Sequence, residues 1–247
     1  EDVREQLASM GFRSLNDIIG RFDLLERNSD ADHWKTKNID LSSFLDLPAD
    51  YMIHPLHCIE KQEEKPGKVL DLGLLDEAET AIRDKQPVEI SRQIRNTDRT
   101  TGALMSGKIA TIYGSAGLPD GTIKCRFTGS AGQSFGAFLV PGIELRLEGD
   151  ANDYLGKGLS GGRIIVLPPP GSSFESDKNI IIGNTVLYGA TSGEIFISGI
   201  AGERFGVRNS GATAVVEGVG NHCCEYMTGG KIVVLGGTGS NFAAGMS

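Results

Sequence analysis

Three stretches of the chain repeat one pattern, a short apolar strand, a glycine, and a segment of small residues about a dozen positions long that returns to another strand. They run from Phe127-Thr128-Gly129 to Gly142-Ile143, from Leu147-Glu148-Gly149 to Gly162-Arg163-Ile164, and from Val216-Glu217-Gly218 to Gly230-Lys231-Ile232. Gly129 and Gly149 are 20 residues apart, Gly199 and Gly218 are 19, and Gly218 and Gly236 are 18. Self-similarity at a nearly fixed period, with variable residues between the anchors, is the signature of stacked coils. The expected fold is mainly β: a stack of parallel coils of ~19–20 residues each, preceded by an arm of short helices. A coil of ~20 residues at ~3.3 Å each suits three short strands with turns, each coil stacking on the next at ~4.8 Å.

The glycines are expected at the corners, where the chain must turn sharply or neighbouring backbones approach. They are Gly129, Gly132, Gly136, Gly142, Gly149, Gly156, Gly158, Gly161, Gly162, Gly199, Gly218, Gly230 and Gly236. Interior positions are assigned to Ile143, Leu145, Leu147, Ile164, Val166, Ile195, Ile197, Val215, Ile232 and Val234, mostly β-branched shapes that suit ladders of like residues. Pro168-Pro169-Pro170-Gly171 and the polar run to Lys178 break the period and read as a surface loop.

Residues 1–95 have a different texture and are read as an N-terminal arm, with 96–247 as the β-helix. Asp2–Met10 reads as a helix, Ser14-Leu15-Asn16-Asp17 as a capping box, and Asp32–Pro66 as an extended segment with one short helix near Leu41–Leu45. Leu75–Asp84 reads as a helix with Leu75, Ala78 and Ile82 on one side. Strands are expected at Val88-Glu89-Ile90, at Ser106–Tyr113 and at Thr122–Phe127, the last two joined through Pro119-Asp120-Gly121. The final residues, Phe242–Ser247, match the middle of an earlier coil, so the last coil is expected to be truncated.

A net charge of −8 argues against a nucleic-acid footprint, which requires clustered Lys and Arg. No apolar run approaches the ~18 residues of a membrane span. The four cysteines, Cys58, Cys125, Cys223 and Cys224, lack the spacing of a secreted disulfide framework, which fits a reducing cytosol or organelle interior.

Gly156-Lys157-Gly158-Leu159-Ser160-Gly161 spells G-x-G-x-x-G, yet a strand rather than a helix follows it, so turn-forming glycines are the better account. His54, His57 and Cys58 lack the four-ligand pattern of a closed zinc site. Gly236–Asn241 has Asn where a calcium repeat needs Asp. Glu148, Asp150 and Asp153 would suit a β-helix enzyme acting on a sugar or polyanion, but that chemistry needs a spaced carboxylate pair beside an aromatic groove. Those two alternatives, a sugar or polyanion enzyme using Asp150 and Asp153 and a nucleotide-binding module at Gly156–Gly161, stand beside a structural reading.

Pro87–Arg99, Gly117–Ile123, Gly129–Phe138 and Leu147–Gly162 closely resemble the C-terminal glycine-repeat (GXGXG) domain of the glutamate synthase large subunit. The resemblance extends to Ala8–Leu15 in the leader. It implies a right-handed parallel β-helix that is part of an enzyme converting glutamine and 2-oxoglutarate into two glutamates. In that family an N-terminal cysteine releases ammonia from glutamine, and a domain carrying FMN and a 3Fe-4S cluster uses it with electrons from NADPH or ferredoxin. No catalytic, cofactor or metal residue of that machinery is matched here, so the resemblance carries over a role only. That role is a rigid piece contacting the amidotransferase, central and FMN-binding domains, with a small subunit or ferredoxin as further partners through the whole protein.

Overall fold

The computed structural model describes residues 1–26, 28, 33–36, 38–46, 48–61 and 69–247, and the chain divides into two compact units, residues 1–65 and 66–247. The expected boundary after residue 95 therefore moves forward: a helix and the first strand of the sheet belong to the second unit.

In the first unit, α1 spans Asp2–Ser9 and α2 spans Ser42–Leu45, with single 3-10 turns at Leu15–Asp17, Phe22–Leu24 and Tyr51–Ile53. The Asp17 carboxylate accepts the backbone N–H groups of Arg13 (3.0 Å) and Ser14 (3.1 Å), closing the anticipated capping box. Arg21 grips Asp23 through two hydrogen bonds of 2.8 and 2.7 Å, and the Tyr51 hydroxyl donates to the same carboxylate at 3.0 Å. Those bonds, led by Arg21, hold the Asp23 carboxyl down at about 2. Leu7 is buried, whereas Val3, Met10, Trp34, Phe44 and Ile53 are exposed. The ends of the anticipated extended segment, Asp32 and Pro66, lie outside the described residues.

The second unit is one parallel sheet with two helices. α3 spans Leu70–Asp84, β1 Val88–Ile94, α4 Ala103–Tyr113, β2 Ile123–Ala131, β3 Ile143–Ala151, β4 Ser160–Leu167, β5 Ile180–Ile182, β6 Ser192–Ala201, β7 Ser210–Val219 and β8 Gly229–Val234. The strands lie in the order β1-β2-β3-β4-β6-β7-β8, every pair parallel. Ile123 faces Ile143, Leu145 faces Ile164, Ile195 faces Ala214 and Ala214 faces Ile232, steps of 20, 19, 19 and 18 residues. The step is the coil length read from the glycines. Two steps are longer: Val88 faces Ile123, 35 positions on, because α4 is inserted, and Ile164 faces Ile195, 31 on, because residues 168–179 are inserted. The Pro-rich loop interrupts a single coil, since β4 and β5 on either side of it both pair with β3.

Apart from the coil that the loop splits into β4 and β5, each coil carries one long strand and no second or third, contrary to the expected three. The return half is a chain of turns with φ between 51° and 69° at every other residue: 134, 136 and 138, then 154, 156 and 158, and likewise 185–189, 204–208, 222–226 and 241–245. Twelve of these eighteen positions are not glycine, so side-chain freedom does not explain the conformation. Hydrogen bonds do. Ser134 N–H and Phe138 N–H donate forward to Asp153 (2.9 Å) and Lys157 (2.8 Å), while Gly136 N–H donates back to Thr101 (2.9 Å). The next return repeats this, Tyr154 and Gly158 reaching forward to Asn184 and Tyr188, Gly156 reaching back to Phe135. A left-handed residue costs about 1–2 kcal/mol, and the ladder offsets that by satisfying backbone donors that the interior would otherwise leave unpaired.

Alternating strand residues build the core. The rows Cys125-Leu145-Ile164-Ile195-Ala214 and Phe127-Leu147-Val166-Ile197-Val216 point inward and are buried. Val215, assigned to the interior from sequence, faces outward between buried Ala214 and Val216; a one-residue shift on a strand changes face. The returns add Phe135, Leu155, Val186 and Phe205, with Phe127 and Phe135 meeting edge to face at 5.5 Å. Met105 and Ile109 of α4 and Leu74, Ala78 and Ile82 of α3 join the same core. The segment anticipated as a strand at Ser106–Tyr113 is thus helical, since Met105, Ile109 and Tyr113 recur every fourth residue and put one face on the core.

Gly129 and Gly149 lie opposite each other inside β2 and β3 rather than at corners, as do Gly199 in β6, Gly218 in β7, Gly230 in β8 and Gly161 and Gly162 in β4. A Cβ on Gly149 would overlap the Gly129 carbonyl oxygen. Gly149→Ala is expected to lower stability by about 1–3 kcal/mol, while Gly107→Ala, in open space on α4, should raise it by about 0.5–1 kcal/mol; urea denaturation of both variants checks the pair.

Candidate functional surface

The residues that sequence reading marked for chemistry are tied into the stack. Gly156 and Gly158 sit in a return with their N–H groups spent on Phe135 and Tyr188, and Gly161 and Gly162 begin β4. A phosphate cradle needs free N–H groups at a helix start, and this segment leads into a strand. Lys157 lies over the Tyr154 ring at 5.5 Å. Asp150 accepts the Ser130 hydroxyl at 2.6 Å, Glu148 pairs with Arg146 at 3.2 Å, and Asp153 accepts the Asn184 N–H at 2.7 Å. Asp153 starts a corner ladder, continued by Glu203 N–H to the Asn184 side chain at 2.8 Å and Ser240 N–H to that of Asn221 at 2.7 Å. Asp150 and Asp153 are spent on holding neighbouring coils together, and Glu148 on an ion pair within β3. His54, His57 and Cys58 are exposed in the first unit, and among the described residues no group of three His, Cys, Asp or Glu is placed to hold a metal ion. Gly236–Asn241 forms the approach to the last return. Gly132 and Gly142 flank the return after β2, where a Cβ on Gly142 would run into Leu118; Gly236 follows β8.

The outward face of the sheet carries ordered rows of side chains. One row of side chains runs Glu89, Lys124, Glu144, Arg163, Glu194 in register. Arg163 reaches Glu144 at 3.2 Å, Glu194 at 2.8 Å and Asp120 at 3.7 Å, and the hydrogen bond to Glu194 chiefly raises its already high pKa. The row beside it runs Ser91, Arg126, Arg146, Ile165, Phe196, Val215, Val233, changing along its length from cationic to apolar. Phe196 is 36% and Val233 48% exposed. Over the cationic end lies a hollow of about 470 Å³ lined by Arg92, Arg126, Arg146, Thr128 and Glu148 among others. The outward face thus mixes apolar groups, Arg side chains and paired charges. This face escaped sequence reading, although the i, i+2 alternation of each strand contained it.

The other placed charge is Asp71 at the start of α3. Its buried carboxylate accepts Gly102 N–H at 2.7 Å and Leu104 N–H at 2.9 Å, fixing the start of α4. Burial raises its pKa, outweighing those two bonds.

Stacked parallel coils with left-handed residues at every second return position define a glycine-repeat β domain, and the chain belongs to the GXGXG motif family, whose model matches residues 71–247. It is similar along its whole length to glutamate synthase (NADH) of Schizosaccharomyces pombe, at 53% identity, and to the glutamate synthase (NADPH) large chain of Bacillus subtilis, at 51%. It is 48% identical to ferredoxin-dependent glutamate synthase 1 of Arabidopsis thaliana, again over all of the chain. The chain spans 12%, 16% and 15% of the lengths of these relatives.

Asp71→Ala removes the acceptor for two N–H groups and is expected to cost about 1–3 kcal/mol. Asp71→Asn retains one acceptor and carries no charge. Because the folded-state pKa of Asp71 is raised, its contribution favours folding below the ordinary aspartate range and is lost as pH rises through the folded value. The stability of Asp71→Asn relative to the native chain should therefore improve from acid to neutral pH, which denaturation curves across that range measure.

Proposed function

We propose that this chain is a non-catalytic structural domain of a glutamate synthase, an enzyme forming two glutamates from glutamine and 2-oxoglutarate, in which it holds the amidotransferase and FMN/iron–sulfur domains in register. The observation that carries the reading is similarity over the full chain to glutamate synthases whose names specify NADH, NADPH and ferredoxin. A segment 48–53% identical to users of three electron donors is not where the donor is chosen. Asp150 and Asp153 support the same role, being committed to neighbouring coils. Under this reading FMN, the 3Fe-4S cluster and the donor site belong to other parts of the protein, and the enzyme works in the cytoplasm or an organelle interior. No described helix is long and apolar enough to cross a membrane. The right-handed winding of the coils belongs to the same proposal, following the general sense of parallel crossovers.

A rigid stack is useful to such an enzyme because two centres that exchange ammonia depend on fixed mutual placement. In the full-length enzyme, Gly149→Ala should raise the ammonia released per glutamate formed, with the flavin spectrum unchanged. Purified chain 1–247 should show neither flavin nor iron–sulfur absorbance and no glutamine hydrolysis; a flavin spectrum from it would overturn the reading.

A further inference from the structure

Cys223 and Cys224 lie in the return after β7, at the two positions that carry Phe135-Gly136, Leu155-Gly156 and Phe205-Gly206 in other returns. Both of those positions face the interior. Neighbouring side chains on an extended strand would point to opposite sides, but Cys224 has φ +59°, and the chain turns so that both thiols are buried, 0% and 3% exposed. Their Sγ atoms are 3.4 Å apart. The remaining cysteines are placed differently, Cys125 buried in β2 with its thiol pushed up to about 12, chiefly by burial, and Cys58 exposed in the first unit.

We propose that Cys223 and Cys224 form a redox-active vicinal dithiol that a peroxide closes to a disulfide. The hydrogen bond between the two sulfurs favours the thiolate at Cys224 against the opposing effect of burial, and raises the pKa of Cys223. The Cys224 thiolate attacks one oxygen of hydrogen peroxide; the O–O bond breaks, and the departing hydroxide leaves as water with the proton of Cys223. Cys224 is then a sulfenic acid. The Cys223 thiolate attacks that sulfur, the S–O bond breaks as the S–S bond forms, and the departing hydroxide takes up the proton shed when Cys224 first ionised. One peroxide is reduced to two waters, and two thiols are oxidised by two electrons.

Adjacent Cα atoms across a trans peptide are about 3.8 Å apart, closer than the ~4.4 Å at which ordinary disulfides begin. The bridge is therefore strained and readily reduced, a property of switching rather than structural disulfides. Closing it pulls on two bonds between coils, Cys224 N–H to Phe205 at 2.8 Å and Ala243 N–H to Cys223 at 2.7 Å. The oxidation state of the pair is thereby coupled to the stacking of three successive returns.

The test treats the folded protein with hydrogen peroxide, quenches it, unfolds it with an alkylating reagent, and weighs the tryptic peptide 209–231, which holds both cysteines and no other. The expected peptide is two hydrogens lighter and not alkylated, and it recovers two alkylated thiols after dithiothreitol. Cys223→Ser and Cys224→Ser should each abolish the closure, and Cys125→Ser should preserve it. Two alkylated cysteines after peroxide treatment of the folded protein, a sulfinic acid without a bridge, or a bridge to Cys58 would each overturn the proposal.

Discussion

The structure depends on backbone hydrogen bonding between successive coils. A parallel strand half satisfies its N–H and C=O groups on each side, and a turn-rich return has no ladder of its own to fall back on. Here the return borrows one: alternate left-handed residues aim their N–H groups forward, back and forward again, so that each coil is bonded to both neighbours around most of its circumference. Once this constraint is met, the rest follows. The interior must be filled by side chains from both halves, which explains why Phe135, Leu155 and Phe205 in the returns are as buried as Leu145 and Ile164 in the strands. Close backbone approach inside the sheet excludes a side chain at the Gly129 and Gly149 pair.

Satisfying the interior this way leaves most charged groups on the outside. Acidic and basic groups that in isolation resemble a catalytic set, such as Asp150 and Asp153, are bound to the coil above or below. Arg163 is held by carboxylates from the strands on both sides and from the loop before β2. The outward rows present charge and apolar surface in bands, and the chain spans only 12% and 16% of the lengths of the glutamate synthases it resembles.

Periodicity was the legible part. Glycine spacing gave the coil length and the parallel pairing, and the Pro168-Pro169-Pro170 run marked the inserted loop. Ser106–Tyr113 is obscured because Ile109, Thr111, Ile112 and Tyr113 are β-branched or aromatic residues common in strands, while the every-fourth-residue recurrence of Met105, Ile109 and Tyr113 records its true packing. The Tyr113 hydroxyl donates to the Ile82 carbonyl at 2.7 Å and ties α4 to α3, a long-range bond without a local signal. The conformation of the returns was hidden for a related reason: most left-handed positions carry ordinary residues such as Thr185, Arg204 and His222, and what holds them there comes from the next coil. Val215 shows the same limit on a smaller scale, since two adjacent valines do not announce which one faces in.

The two insertions have a further meaning. α4 and residues 168–179 lengthen the path of the chain without displacing the strands that precede and follow them, which still pair side by side in parallel. Height along the stack is therefore set by the count of strands, near 4.8 Å for each, and is indifferent to how much polypeptide is spent between them. A domain with that property acts as a gauge block: what hangs from its sides can lengthen or shrink while the separation between its ends stays the same.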